Sequence, residues 1–305
     1  MMKTKYVLRT MLFIPGHLEK VLVNAAKTRA DVLIFDLEDS CKPDSNKQIA
    51  RKLIKEKIET GLYENYTTLV RINPRGTAFL LDDILSLAIN GIDGFLYPMA
   101  KSRDDIIFFD NLLTEIELSK NIDLGTFKIF PVIESAGGVL NAREICSASD
   151  RVIALGLGGE DYTTNIESKR DKQGGSIFFA RSAIAHAARA EGVIPIDTPH
   201  LDIHNLKALK KQCLDVKNLG FGGLQVLHPK EIDIVNEIFS VTKNELEEAE
   251  EMIQLYEEAE KKNRGVAIYN GKFIGPPLFK RAKKTIKKAS LIYNHNQKRG
   301  DNNAS

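Results

Sequence analysis

The chain has 305 residues, of which 43% are hydrophobic and 28% are charged, and its formal net charge is +2. These values are typical of a soluble globular protein, and so small a charge indicates neither a nucleic-acid partner nor a membrane partner. The three cysteines, Cys41, Cys146 and Cys213, are scattered and odd in number. This spacing disfavours a disulfide framework or a cysteine metal site and predicts a reduced, cytoplasmic setting.

Short β-rich segments alternate with segments of helical periodicity along most of the chain. The N-terminal stretch MMKTKYVLRTMLFIPG has too few consecutive apolar residues for a signal peptide and predicts a first strand instead. Amphipathic helices are predicted over residues 18–28, 45–59 and 178–191, among others. Eight strands are predicted, over residues 10–14, 32–36, 67–72, 94–97, 128–133, 152–157, 193–196 and 223–227.

The alternation of strands and helices predicts an α/β fold with parallel pairing. Eight such units in roughly 230 residues are typical of a (β/α)8 TIM barrel. We therefore predict a barrel domain over residues 1–238, in preference to a doubly wound sheet. Residues 239–305 are predicted to form a C-terminal accessory arm.

The arm is predicted to contain a helix over residues 244–262 and a β-hairpin around Asn270 and Gly271, which favour a two-residue turn. A basic helix over residues 278–292 and a polar, disordered tail from His295 follow. The basic side chains favour a solvated helix face, with phosphate binding as the less favoured alternative. They are Lys280, Arg281, Lys283, Lys284, Lys287 and Lys288.

Two carboxylates follow buried strands inside glycine-rich loops, Glu134 in FPVIESAGG and Asp161 in ALGLGGEDY. The C-terminal ends of barrel strands form the ligand-binding face, so we expect both acids there. Two carboxylates, with the other positions left to water and substrate, are what Mg²⁺ commonly takes from a protein. The glycines would let backbone amides approach a bound anion. Taken singly, either acid could instead cap a helix.

Further polar residues follow the other predicted strands. Arg71 could grip a substrate carboxylate. Asp36, Glu38 and Asp39 are expected mainly to pair with Arg9 or Arg71, because three adjacent acids would otherwise repel one another, and direct catalysis by them is the less favoured interpretation. Asp197 and His228 are expected to be loop or capping residues. The predicted catalytic residues are Arg71, Glu134 and Asp161, and the predicted substrate-binding residues are Arg71, Gly158, Gly159, Glu160, Arg9, Asp36 and Glu38.

An ordered set of stretches resembles the citrate lyase β-subunit-like group of the HpcH/HpaI aldolase superfamily. They are LRTMLFIPG, DVLIFDLEDS followed by Lys47 and Arg51, LVRIN, FPVIESAGG, ALGLGGEDY, FARSAIAHAARAEG and LHPKEI. The resemblance implies a TIM barrel, Mg²⁺ held by Glu134 and Asp161, and a substrate carboxylate held by Arg71. It also implies a homotrimer or hexamer in which the arm of one subunit covers the active site of a neighbour.

The resemblance further implies reversible carbon–carbon cleavage of a 3-hydroxyacyl thioester, such as citryl-, malyl- or citramalyl-CoA or a carrier-protein equivalent. The products would be an acyl thioester and a small 2-keto acid, namely oxaloacetate, glyoxylate or pyruvate. The chain departs from the group's usual pattern at three places. Gly275 stands where an aspartate is common, Met99 where a lysine is common, and residues 220–224 read GFGGL instead of GFDGK.

Because glycine cannot act as an acid or base, Gly275 leaves two alternatives open. One is a pyruvate-type aldolase without a thioester. The other is a non-catalytic or carrier-dependent subunit that binds a keto acid within a larger complex.

Overall fold

A closed barrel of eight parallel strands forms the larger part of the protein. The structure, a computed structural model, describes residues 6–171 and 174–300. The strands pair in chain order and β1 closes the barrel against β8, which confirms the predicted TIM barrel. Strands β1 to β8 span Thr10–Pro15, Val32–Asp36, Thr67–Arg71, Gly94–Tyr97, Lys128–Ile133, Ala154–Leu157, Ile194–Asp197 and Gly223–Val226.

Helices connect successive strands and pack against them. The buried stripe of the second helix consists of Lys47, Ala50, Ile54 and Ile58, a spacing of three or four residues that places them on one face. Within residues 6–171 and 174–300, no helix has the length and apolar character needed to cross a membrane. Helices α1 to α10 span Glu19–Ala25, Ser45–Glu59, Leu80–Leu87, Arg103–Ser119, Ala136–Leu140, Ala142–Ser147, Gly159–Asn165, Phe178–Ala190, Leu206–Asn218 and Ile232–Phe239.

Two apolar clusters form on the two sides of the barrel wall, because successive residues of a strand point to opposite faces. Leu33, Phe35 and Val70 belong to the larger cluster, which also contains the buried residues of the helices. The smaller cluster contains the alternate strand residues and fills the barrel interior. It includes Met11, Ile34, Leu69, Leu96, Phe130, Val132 and Ile196.

Most predicted strand boundaries differ from the observed ones by at most one residue. Strand β6 begins two residues later than predicted, because Val152 makes only an isolated bridge with Ile129. The predicted disorder from His295 is wrong for its first part, since the last helix continues to Lys298. Residues 301–305 of the predicted tail lie outside the described residues.

The chain divides into two compact units between Phe239 and Ser240. In the second unit, the ring of Tyr256 stacks on that of Phe279 with centroids 4.5 Å apart, and Lys283 lies 4.2 Å above the Phe279 ring. The predicted hairpin is present, with Asn270 and Gly271 at positive φ in its turn. The elements of this unit are α11 (Lys243–Lys261), β9 (Ala267–Tyr269), β10 (Lys272–Ile274) and α12 (Pro276–Lys298).

Candidate active site

Three polar side chains continue the inward-facing rows of the barrel interior at its C-terminal end. Asp36 ends β2, Arg71 ends β3 and Glu134 follows β5. Each stands two residues beyond an interior core residue of its strand, respectively Ile34, Leu69 and Val132. Because side-chain direction alternates with a period of two, all three face the barrel axis, at the end where ligands bind in this fold.

Arg71 is clamped by the buried carboxylate of Asp36. Nε and Nη2 of Arg71 each lie 2.6 Å from a different oxygen of Asp36, and the guanidinium lies 4.8 Å from the ring centre of Phe13. Burial by itself would raise the pKa of Asp36, but Arg71, the Ser40 hydroxyl and the Glu38 amide hold it below its ordinary value. Asp36 therefore orients Arg71, and direct contact between Asp36 and substrate stays a prediction.

The third guanidinium nitrogen, Nη1 of Arg71, forms ion pairs with two more carboxylates. Oε2 of Glu38 and Oδ2 of Asp39 each lie 2.9 Å from it. Burial raises the pKa of Glu38 to about 8; Arg71 opposes this shift, and the carboxylates of Asp39, Glu134 and Asp36 add to it. The three neighbouring acids thus pair with Arg71, and Nη1 is the edge at which a substrate carboxylate could exchange with the exposed Asp39.

Glu134 lies in a narrow space beside two backbone segments. Its Oε2 accepts a 2.9 Å hydrogen bond from the amide of Met99, whose φ of 54° lies in the left-handed region that a non-glycine residue rarely adopts. Burial raises the pKa of Glu134 to about 7, and the charge of Asp161 adds to the shift. A Cβ on Gly158 would lie 2.7 Å from Oε1 of Glu134, so glycine at this position leaves room for the carboxylate.

The glycine amides before Asp161 are already used within the protein. The amide of Gly158 donates to the carbonyl of Ile133 at 2.9 Å, and the amide of Gly159 donates to the hydroxyl of Thr198 at 3.0 Å. These two amides are therefore not free in this structure, and the substrate-binding roles of Gly158 and Gly159 stay predictions. Gly158 contributes space instead.

Glu160 and Asp161 are adjacent on α7 but have different surroundings. Successive helical residues project about 100° apart. Glu160 accepts a 3.0 Å hydrogen bond from Arg170, and its role in substrate binding stays a prediction. The pKa of Asp161 is raised by burial and by Asp39, and lowered by Arg71. Asp161 is thus the acid of α7 that is electrostatically coupled to the acids around Arg71.

Arg9 lies at the opposite end of the barrel. It precedes β1, and its Nε and Nη2 donate to the two carboxylate oxygens of Asp31, at 2.8 and 2.7 Å. Asp31 is fully buried and precedes β2. This pair ties together the N-terminal ends of β1 and β2, so the prediction that Arg9 binds substrate is wrong.

Lys47 is a supporting residue to which the sequence analysis gave no role. Its side chain is 2% exposed, and Nζ donates to the carbonyls of Leu37 and Glu38 at 2.8 and 3.2 Å and to Oδ1 of Asn73 at 2.7 Å. These bonds hold the backbone that carries Glu38 and Asp39. The available signal was the position of Lys47 in the buried stripe of α2, where a lysine needs internal partners.

The donor set of Glu134 and Asp161 fits a magnesium ion that keeps water and substrate among its ligands. Over residues 6–171 and 174–300, no group of three or more His, Cys, Asp or Glu side chains is arranged as a metal site. A site here would therefore take only two carboxylates from the protein, as Mg²⁺ sites commonly do. Burial raises the pKa of both carboxyl groups, and a divalent cation would favour their ionised forms.

We expect Gly158→Ala to weaken magnesium-dependent binding of pyruvate about tenfold or more, because the added methyl must displace the Glu134 carboxylate. Calorimetric titration of pyruvate with and without MgCl₂ measures the effect. Gly137→Ala is the matched control, since a Cβ at Gly137 meets no atom within 4 Å. Equal losses in the two variants would contradict the role of Gly158.

Comparison with known sequences identifies relatives over nearly the whole chain. Residues 9–229 match the family model described as HpcH/HpaI aldolase/citrate lyase. The citrate lyase subunit beta of Haemophilus influenzae is 35% identical over 281 residues, which cover 92% of this chain and 96% of that protein. The L-malyl-CoA/beta-methylmalyl-CoA lyase of Rhodobacter capsulatus is 28% identical, with 93% and 95% covered.

Solved structures show the same likeness. The protein CitE of Mycobacterium tuberculosis, crystallised with magnesium, acetoacetate and coenzyme A, aligns with a TM-score of 0.74 at 25% identity. The alignment covers 94% of this chain and all of that chain. A citrate lyase beta subunit from the same organism, complexed with oxaloacetate and magnesium, aligns with a TM-score of 0.64 at 28% identity. That alignment covers 77% of this chain and 98% of that one.

Proposed function

The chain belongs to the HpcH/HpaI aldolase/citrate lyase family, and from this premise we propose that it is a magnesium-dependent carbon–carbon lyase acting on a 3-hydroxyacyl thioester. The observation that carries the proposal is the placement of the clamped Arg71 beside Glu134 at one mouth of the barrel, with Asp161 electrostatically coupled to both. Relatives named as citrate lyase subunits and malyl-CoA lyases support the reaction class. Structures solved with magnesium, keto acids and coenzyme A support the ligands.

The reaction joins or separates a small 2-keto acid and an acyl thioester. Citryl-, malyl- and citramalyl-CoA are the candidate substrates, and each carries a hydroxyl group and a carboxylate on the same carbon atom. In cleavage, the bond from that carbon to the α-carbon of the thioester breaks, the hydroxyl oxygen becomes the keto oxygen, and the electron pair passes to the thioester enolate.

Arg71 holds the carboxylate of the keto-acid half through its Nη1 edge, where Glu38 and Asp39 lie in the free protein. Asp36 prevents rotation of the guanidinium, which pre-organises that edge. Glu134 and Asp161 would hold magnesium, which when bound acts as a Lewis acid toward the substrate oxygens. The apolar interior row beneath these residues keeps water from the lower side of the site.

The test is turnover by the purified chain. Malyl-, citramalyl- and citryl-CoA are each incubated with MgCl₂ or with EDTA, and released keto acid and acyl-CoA are measured by mass spectrometry. We expect equimolar products from at least one thioester, with loss of turnover in EDTA. No product from any of the three, or turnover that EDTA does not reduce, would overturn the proposal.

One specific residue favours a carrier-dependent variant of this function. Gly275 lies just before α12 with extended backbone and offers no side chain to the chemistry. In this second candidate the keto-acid half binds as above, but turnover requires the acyl group on a carrier protein within a larger complex. Turnover of a CoA thioester by the isolated chain excludes it. A pyruvate-type aldolase is excluded when the corresponding free hydroxy acids are not cleaved.

The proposal also covers the oligomeric state and the cellular location of the protein. We propose a homotrimer or hexamer, the arrangement that the resemblance to the citrate lyase β-subunit-like group implies. The cysteines Cys41, Cys146 and Cys213 are all buried and form no disulfide bond, which supports a reducing, cytoplasmic location.

A further inference from the structure

Among the acids near Arg71, Glu38 is the one whose carboxyl is largely buried and yet has few hydrogen-bond or ion-pair partners. Asp36 has both oxygens in the Arg71 clamp, and Glu134 is held by a backbone amide. Asp39 is 74% exposed, whereas the side chain of Glu38 is 16% exposed. Among the described residues, the Glu38 carboxyl has a single ion-pair partner, Nη1 of Arg71.

The backbone of Glu38 is fixed from three directions. Its amide donates to Oδ1 of Asp36 at 2.9 Å. Its carbonyl accepts from Nζ of the buried Lys47 at 3.2 Å and from the amide of Cys41 at 3.2 Å. A reactive group must be held close to one geometry by its supporting residues, and these bonds provide that support.

The electrostatic surroundings of Glu38 suit proton transfer near neutral pH. The charged groups that face it are Arg71, which favours ionisation, and Asp39, Glu134 and Asp36, which oppose it. With burial, they place the pKa of Glu38 at about 8 in the metal-free protein. Positive charge bound near Glu134 would lower that pKa toward neutrality. Proton transfer is most efficient when the pKa of the group lies near the working pH.

The structure of the substrate places the reacting hydroxyl near Nη1 of Arg71. In all three candidate thioesters, the hydroxyl is on the carbon that carries the carboxylate. A carboxylate held at Nη1 of Arg71 therefore places its neighbouring hydroxyl close to the Glu38 carboxyl, which lies 2.9 Å from that nitrogen. A base must be within hydrogen-bond reach of the proton that it removes.

We propose that Glu38 is the catalytic acid–base of the reaction, removing the hydroxyl proton and returning it to the enolate carbon. This inference rests on the proposed function. In cleavage, the Glu38 carboxylate takes the proton as the carbon–carbon bond breaks and its electron pair passes to the thioester enolate. The protonated carboxyl then donates to the α-carbon, which gives the acyl thioester. No other reactant is needed, and synthesis is the reverse sequence.

The test compares Glu38→Gln with the wild-type chain in two assays. We expect turnover of the best thioester to fall about 100-fold or more, while the dissociation constant of pyruvate measured with MgCl₂ changes by no more than about threefold. With MgCl₂ bound, the wild-type rate should rise with pH through neutrality and level off below about pH 8, as the Glu38 carboxylate forms, and the variant should lose this limb of the profile. A purely structural role would not remove a limb of the pH profile.

Two further variants distinguish the loss of a titrating carboxyl from the loss of a negative charge and from a folding defect. Glu38→Asp keeps a carboxyl and should retain the pH-dependent limb at reduced rate, so it decides the question if the glutamine variant does not fold. Glu144→Gln removes an exposed carboxylate of α6 and should change turnover by no more than about fivefold. A wild-type chain that turns over a thioester, with Glu38→Gln within about fivefold of it, refutes this inference alone. A wild-type chain without turnover refutes the proposed function, and this inference with it.

Discussion

Replacing Glu134 with glutamine is expected to make the magnesium-free protein more stable above pH 7 and to abolish magnesium-dependent binding of pyruvate. Burial, together with the charge of Asp161, raises the pKa of Glu134 from 4.5 to about 7. Below pH 4.5 the group is neutral in the folded and unfolded chains, so it does not change the free energy of unfolding. Between pH 4.5 and 7 the unfolded chain loses its proton first and stability falls. Above pH 7 the full penalty is present, about 3 kcal/mol.

Denaturant titrations at several pH values, in EDTA and in MgCl₂, measure both effects. In EDTA at pH 8 the variant should be the more stable protein, and the difference should shrink as the pH falls toward 4.5. MgCl₂ should stabilise the wild type, because ligands that bind only the folded state do so, and should leave Glu134→Gln unchanged. Glu144→Gln, on an exposed face of α6, is the control and should resemble the wild type. A Glu134 variant that is less stable at pH 8 would contradict the expected penalty.

Arg71→Ala is expected to destabilise the protein by about 3–5 kcal/mol and to remove binding of keto acids. The reason for the first effect is the Asp36 carboxylate, which is 1% exposed and would lose its cationic partner, keeping only neutral donors from Glu38 and Ser40. Breaking a buried ion pair by removing one member leaves an uncompensated charge, and costs of this size are typical. Denaturant midpoints and calorimetric titration with pyruvate measure the two effects.

The double variant Arg71→Ala with Asp36→Asn distinguishes the two roles of the arginine. Neutralising Asp36 removes the buried charge, so the double variant should recover much of the lost stability. It should recover none of the pyruvate binding, because the guanidinium fork is still missing. Recovery of binding, or an Arg71→Ala protein within about 1 kcal/mol of the wild type, would refute the clamp as described.

The barrel could be predicted because its strands carry a strong local signal. Strands buried on both faces appear as short apolar runs that end in polar or glycine residues, and eight such runs alternate with helical stretches. The error at β6 arose at Val152, which is as apolar as a strand residue but makes one bridge only. The tail error arose because HNQK continues a helix that the polar composition alone did not indicate.

The candidate site was predictable only where strand ends determine it. Asp36, Arg71 and Glu134 follow from strand position and side-chain alternation. The directions of Arg9 and Glu160 depend on partners, Asp31 and Arg170, that sequence order does not reveal.

Hydrogen bonds to backbone groups could not be predicted from the sequence either. Whether the amides of Gly158 and Gly159 are free depends on hydrogen bonds to distant chain segments. Lys47 was noted only as part of a family motif. Its supporting role was not predicted because a lysine in an amphipathic helix normally faces water, whereas here its amine lies among carbonyl oxygens.

The stacking of polar residues directly above the interior core rows also limits how this protein can change in evolution. Ile34, Leu69 and Val132 alternate in step with the polar residues two positions further along. One inserted or deleted residue within β2, β3 or β5 would turn a core side chain outward and its polar neighbour away from the axis at once. Length changes in this barrel are therefore expected to be tolerated in loops and helices and not within β2, β3 or β5.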